Sequence, residues 1–206
     1  MQVGMDFDNT IVNYDRIFHK VALERGLVEP EVPVSKLAVH DRLRRSGKED
    51  AWTELQGYVY GCRMAEAEPF PHVLGFLDWA RRTGVPVAIV SHKTRRPFRG
   101  PEYDLQSAAR SWIQDVLRDD KGPLVQPVQV FLEETKQAKL ARIRAIDCAF
   151  FVDDLPEILA APDFPETTVG ILFDPENRHS GAPAMNPLCS WQEIRSYLES
   201  QWTPAI

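Results

Sequence analysis

Two aspartates stand one residue apart in the run Met5-Asp6-Phe7-Asp8-Asn9-Thr10, just behind a short apolar stretch. Two more adjoin at Asp153-Asp154, again directly after apolar residues, Phe151-Val152. Carboxylates crowded into one place repel one another and raise one another's pKa, unless a hard cation neutralises them. An all-oxygen donor set favours magnesium for that task. Ser91 and Lys136 supply a hydroxyl and an ammonium, groups that hold an anion by its oxygens. Together these residues suit an anion site built around a cation.

They can act together only if the fold delivers them to one place. Val3 to Phe7 is too short for a helix and ends in carboxylates, so it reads as a buried strand. From Tyr14 to Arg25, Ile17, Phe18, Val21, Ala22 and Leu23 recur at helical spacing, and Gly26 stops the helix. Pro30 and Pro33 break the chain; Ser35 then caps a helix through about Arg45, and a longer one runs from about Glu49 to Ala65. Residues 13–68 are thus expected to be all-helical.

The pattern then alternates. Pro71 to Thr83 is amphipathic, Gly84 ends it, and Val85 to Val90 is a β-branched run. Ser91 to Tyr103 reads as a loop and Asp104 to Leu117 as a helix. Strands at Val128 to Leu132 and Ala149 to Val152 flank a helix over Thr135 to Ile146, and Val169 to Phe173 adds a fifth strand before a last helix near Trp191 to Glu199. Short apolar strands alternating with amphipathic helices predict an α/β fold with a parallel sheet covered by helices on both faces. In such a sheet ligands bind beyond the carboxyl ends of the strands. Asp6 and Asp8, Ser91, Lys136, and Asp153 and Asp154 all fall there.

In order and spacing, Asp6-Phe7-Asp8-Asn9-Thr10, Ser91, Lys136 and Phe151-Val152-Asp153-Asp154 resemble the four motifs of the haloacid dehalogenase-like (HAD) superfamily. The resemblance covers most of the chain. It implies a Rossmann-like catalytic core over 1–12 and 69–206 with a small α-helical cap at 13–68. Asp6 would be the nucleophile and a magnesium ligand. Asp8 would be general acid and base, its main-chain carbonyl a further ligand. Thr10 and Ser91 would orient the nucleophile and bind phosphoryl oxygens, and Lys136 would neutralise the transferring group. Asp154 would be the principal ligand of the fourth motif, with Asp153 ligating directly or through water.

A carboxylate at Asp8 implies phosphoryl transfer over dehalogenation within that superfamily. The substrate implied is a small phosphorylated metabolite, a sugar phosphate ahead of a nucleotide, with phosphotransfer, mutase action and a catalytically silent binding module as alternatives. The third-motif lysine stays open between Lys136 and Lys139, three apart on one helix; Lys136 is preferred because it follows Thr135, an N-cap candidate. Asn9, His92, Lys93 and Arg95 are expected near the substrate, and Arg96 and Arg99 continue that basic loop. Taken singly, Asp8 and Asn9 are also ordinary turn residues, Ser91 an ordinary strand-end serine, and Lys136 an ordinary solvated helix lysine. Trp52, Tyr58, Tyr60 and Arg63 belong to the expected cap, where aromatic residues at helical spacing more often form its own core.

Composition narrows the partners. A length of 206 residues with 44% apolar residues supports one sizeable core and a small second module. A formal net charge of -6 argues against a nucleic acid polymer as partner. Cys62, Cys148 and Cys189 are widely spaced and odd in number, so neither a disulfide framework nor a zinc site is expected. With no apolar segment near the roughly 20 residues needed to span a bilayer, no membrane partner is expected and the compartment expected is the cytoplasm. Assembly into a homo-oligomer is left open.

Overall fold

The structure, a computed structural model, describes residues 2–179 and 185–201. In chain order its elements are β1 (Val3–Met5), β2 (Val12–Asn13), α1 (Asp15–Glu24), α2 (Lys36–Arg45), α3 (Glu49–Cys62), β3 (Glu68–Pro69), α4 (Val73–Thr83), β4 (Val87–His92) and α5 (Leu105–Val116). There follow β5 (Arg118–Asp119), β6 (Gly122–Pro123), β7 (Val130–Glu133), α6 (Lys136–Ala145), β8 (Phe150–Asp153), α7 (Pro156–Leu159), β9 (Val169–Leu172) and α8 (Trp191–Gln201).

Five strands form one sheet in the order β7-β4-β1-β8-β9, and every pairing in it is parallel. The first strand is therefore central, and the chain builds outward on one side before crossing to build the other. That reversal between β1 and β8 leaves a crevice beyond the strands' carboxyl ends, the place where open parallel sheets take ligands. All three residues of β1 and all four of β8 are buried, as a strand covered on both faces requires.

The strand ends differ from the sequence reading in instructive ways. β1 stops at Met5, because Asp6 to Ile11 turns away. β4 runs on through Ser91 and His92, which pair with Leu132 and Glu133, so Ser91 lies within the strand it was expected to follow. β7 begins only at Val130, since Pro127–Gln129 is a 3-10 turn.

The described residues divide into two compact units. The sheet unit holds residues up to 11, 69–92 and 117 onward, and the helical unit holds 12–68 and 93–116. The helical unit is thus larger than the expected 13–68 insert, because α5 and the segment before it pack on α3. Gly57 and Gly61, one turn apart on α3, leave room for Pro97 and Tyr103. The Trp112 indole N–H donates to the Ala67 carbonyl at 2.9 Å. Among the described residues no helix is long and apolar enough to cross a membrane.

In the sheet unit Gly4 of β1 packs against a buried cluster. Cys148, Phe151, Val90, Leu140, Ile143 and Ile158 form one buried cluster, and burial pushes the Cys148 thiol up to about 12, so it stays protonated. A Cβ on Gly4 would sit 2.5 Å from Phe151 Cδ2 and 2.7 Å from Cys148 Sγ. Gly4→Ala should therefore destabilise the protein by about 1–3 kcal/mol through overpacking. Gly75→Ala, at an exposed α4 position where a Cβ meets nothing within 4 Å, should instead stabilise it by up to about 1 kcal/mol. Thermal midpoints of the two variants on opposite sides of the parent value are the expected result; a stable Gly4→Ala protein would contradict the packing described.

Candidate active site

The parallel register fixes the centre of the site. Met5 pairs with Val152, and the Asp6 N–H donates to the Val152 carbonyl at 2.8 Å, so Asp6 and Asp153 emerge side by side from adjacent strands. Between them stands Lys139, whose Nζ lies 2.6 Å from Asp6 Oδ1 and 2.6 Å from Asp153 Oδ2. The three side chains are 2%, 6% and 0% exposed for Lys139, Asp6 and Asp153. Burial opposes the Lys139 charge, yet the two carboxylates outweigh it and hold the ammonium above its ordinary pKa. Burial pushes Asp153 above the usual carboxylate range, with Lys139 pulling it down and Asp6 pushing it further up.

The lysine at this position is Lys139, where the sequence reading preferred Lys136. Thr135 does cap α6, its hydroxyl accepting from the Ala138 N–H at 3.1 Å. Side chains on a helix lean toward its N-terminus, so a residue one turn inside reaches back to the level of the helix start. Lys139 has that position, on the buried face with Leu140 and Ile143, and its chain returns to the strand ends. Lys136, at the first helical position, leans outward instead; it is half exposed and pairs with Glu157 at 3.2 Å.

Thr10 and Asp154 are linked twice. The buried Thr10 hydroxyl donates to Asp154 Oδ1 at 3.1 Å and accepts from the Asp154 N–H at 3.1 Å. The Thr10 hydroxyl is thus engaged with the fourth motif. Ser91 is 1% exposed, and its Oγ is buried with no hydrogen-bond partner among the described residues. A buried hydroxyl normally finds a partner, and a ligand oxygen at the strand ends would supply one. Asn9 takes a left-handed conformation, φ 58°, which turns the chain after Asp8. Asp8 is half-buried.

Asp6, Asp153 and Asp154 each offer a carboxylate oxygen, all within 4.8 Å of one another. That donor set is all-oxygen, anionic and compact, and it fits magnesium, which prefers small oxygen cages. The carboxylate of Asp8 is not part of this group of three.

The basic segment is distributed differently from the expectation. His92 ends β4 in the sheet unit, a ring nitrogen 3.2 Å from the Glu134 carbonyl oxygen. Lys93, Arg95, Arg96 and Arg99 belong to the helical unit. There Arg95 pairs with Asp104 at 3.3 Å, Arg96 with Glu102 at 3.4 Å, and Arg99 with Asp50 and Glu54, each at 3.1 Å. Lys93 is 4% exposed, its Nζ 4.6 Å from the centroid of Tyr60. The sequence reading gave Trp191 no role at the site, yet its indole donates to the Thr10 carbonyl; the capping-box spacing of Ser190 and Glu193 is a local signal for where its helix starts.

No protein-family profile matches the sequence, and no curated protein does. Among solved structures the fold recurs over nearly the whole chain. A haloacid dehalogenase-like hydrolase from Streptococcus pneumoniae aligns with a TM-score of 0.61 at 13% identity, covering 96% of this chain and 97% of that one. A HAD family hydrolase from Deinococcus radiodurans R1, with bound phosphate and sodium, gives 0.57 at 18% identity over 99% and 98%. An L-2-haloacid dehalogenase gives 0.55 at 15% identity over 96% and 98%. The chain therefore has the HAD-like α/β fold that its motifs implied.

The contrast between the two lysines is directly measurable. Lys139→Met strands two buried carboxylates and should cost about 3–5 kcal/mol, whereas Lys136→Met removes an exposed pair worth about 0–1 kcal/mol. Denaturant midpoints at neutral pH should separate the variants by that margin. Equal losses would mean that Lys139 does not hold the site.

Proposed function

We propose that this chain is a magnesium-dependent phosphohydrolase that cleaves a small phosphomonoester in two steps through a covalent phosphoryl intermediate on Asp6. The observation that carries this reading is the buried Asp6–Lys139–Asp153 group, with a third carboxylate, Asp154, beside it and the partnerless Ser91 hydroxyl at the next strand.

Asp6 attacks phosphorus with one carboxylate oxygen while Lys139 holds the other in place. Asp8 hands its proton to the departing oxygen, and the freed alcohol leaves. In the second step Asp8 takes a proton from water, whose oxygen attacks phosphorus and breaks the bond to Asp6. Inorganic phosphate results and both aspartates return to their starting states. The Ser91 hydroxyl donates to a phosphoryl oxygen in both steps, as a neutral group that adds no charge to be balanced. Asp6, Asp154 and the main-chain carbonyl of Asp8 would hold magnesium, which supplies charge neutralisation and Lewis acidity at the transferring group. Asp153, bound to Lys139 and accepting from the Leu155 N–H at 3.0 Å, orients the lysine and belongs to the same three-oxygen group, where it would ligate directly or through water.

The carboxylate at Asp8 favours phosphoryl transfer over dehalogenation, because two proton transfers need a group there. For the substrate, a sugar phosphate is preferred to a nucleotide; the support is the resemblance and the presence of a helical unit of cap-like size, which in capped relatives shields small substrates from water.

A phosphate-release screen with magnesium, over sugar phosphates, nucleotides and a panel of other phosphomonoesters, tests the reaction. Turnover should appear with at least one class, vanish in Asp6→Asn, and fall about 10²–10⁴-fold in Asp8→Asn. Silence across the panel, or full activity in Asp6→Asn, would overturn the reading; halide release from 2-haloacids instead would move the chain to the dehalogenases. Calcium prefers more ligands and looser geometry than magnesium, so replacing one by the other should leave little turnover, and equal rates would count against the proposed site.

A further inference from the structure

Trp191 opens α8 at a place set by its neighbours. The Glu193 N–H donates to Ser190 Oγ at 3.2 Å, and Glu193 Oε2 accepts from the Cys189 N–H at 2.8 Å. Such reciprocal capping leaves little freedom in where the helix begins, and hence in where its first side chain points. The indole is 1% exposed and lies among rings, its centroid 4.9 Å from Phe76 and 5.9 Å from Phe173.

An indole N–H in apolar surroundings has to find an acceptor. Here it is the Thr10 carbonyl, 3.0 Å away and 181 residues earlier in the chain. The neighbouring Ile11 carbonyl accepts from the Phe70 N–H at 2.8 Å. The turn that follows Asp6 and Asp8 is thus fixed at two successive carbonyls. Thr10 in turn holds Asp154 by both of its hydroxyl bonds. One line of hydrogen bonds therefore runs from the helix start to a carboxylate of the three-oxygen group: Trp191 to Thr10, and Thr10 to Asp154.

We infer that Trp191 is a positioning residue for the cation site: its N–H sets Thr10, and through Thr10 the direction of the Asp154 carboxylate. This rests on the reading of Asp6 and Asp154 as magnesium ligands. Partners behind a metal ligand commonly matter to affinity by one or two orders of magnitude, since a rotated carboxylate no longer converges with the other donors. The aromatic bulk of Trp191 fills the core; the N–H alone carries this second task. Phenylalanine separates the two, keeping a ring and deleting the donor.

Magnesium titrations of the full chain, followed by calorimetry without substrate, test this. Trp191→Phe should bind magnesium about tenfold more weakly than the parent. Trp79→Phe, a change at another buried tryptophan packed on Phe76 with its centroid 5.6 Å away, should bind it as the parent does even if its thermal midpoint falls as far. Equal affinity in Trp191→Phe and the parent overturns the inference while leaving the phosphohydrolase reading intact. A parent that binds no magnesium removes both.

Should Trp191→Phe fail to fold, the parent protein answers instead. With 15N-labelled tryptophan, the five indole N–H signals are assigned by replacing the other four tryptophans in turn. Saturable movement of the Trp191 signal on magnesium addition, exceeding that of Trp79, is the expected result; a Trp191 signal that stays still while the cation binds overturns the proposal.

Discussion

The site is organised by one buried ammonium between two buried carboxylates. Taking three charges out of water is costly, and an ion group of this kind is at best weakly stabilising compared with apolar residues of the same volume. What it secures is geometry: Asp6 and Asp153 can sit side by side at adjacent strand ends only because Lys139 is there to compensate them. The parallel pairing of β1 with β8 brings the carboxylates together, and the helix after β7 returns the cation to them. Sheet order, helix position and side-chain charge are thus a single constraint viewed at three scales.

Much of this was legible in the sequence, because a strand buried on both faces is written as a short unbroken apolar run. Such runs placed the five strands, and the polar residues following them located the site. Boundaries were less legible where pairing decided them: Ser91 reads as the start of a loop, yet its partner Leu132 keeps it in the sheet. Lys136 and Lys139 illustrate a different limit. Both lie on the same helix three residues apart, and spacing cannot separate them. The direction in which helical side chains lean does so, provided that the helix start is known and the anion is known to lie at its level.

Long-range tertiary contacts were the least legible part. Nothing local in the segment 93–116 marks it as a companion of the helices at 12–68; its arginines look like free cations in sequence, and in the fold they meet Asp50, Glu54, Glu102 and Asp104. Gly57 and Gly61 are the faint trace, since glycines one turn apart on a helix allow another segment to come close. Trp191 is similar: a tryptophan near the end of a chain reads as core, and the acceptor it uses belongs to the beginning.

The central place of β1 also has a consequence for the order in which the protein is made. Of the partners of β1, β4 at Val87–His92 follows it first, while Lys139 and β8 stand 133 residues or more beyond Asp6, and the tryptophan that touches its turn comes later still. At a synthesis rate of about 5–20 residues per second, β1 waits on the order of ten seconds for Lys139 and β8. Until then the carboxylates that tip it lack the lysine that compensates them in the fold. The buried charge group can form only after Lys139 and β8 have been made.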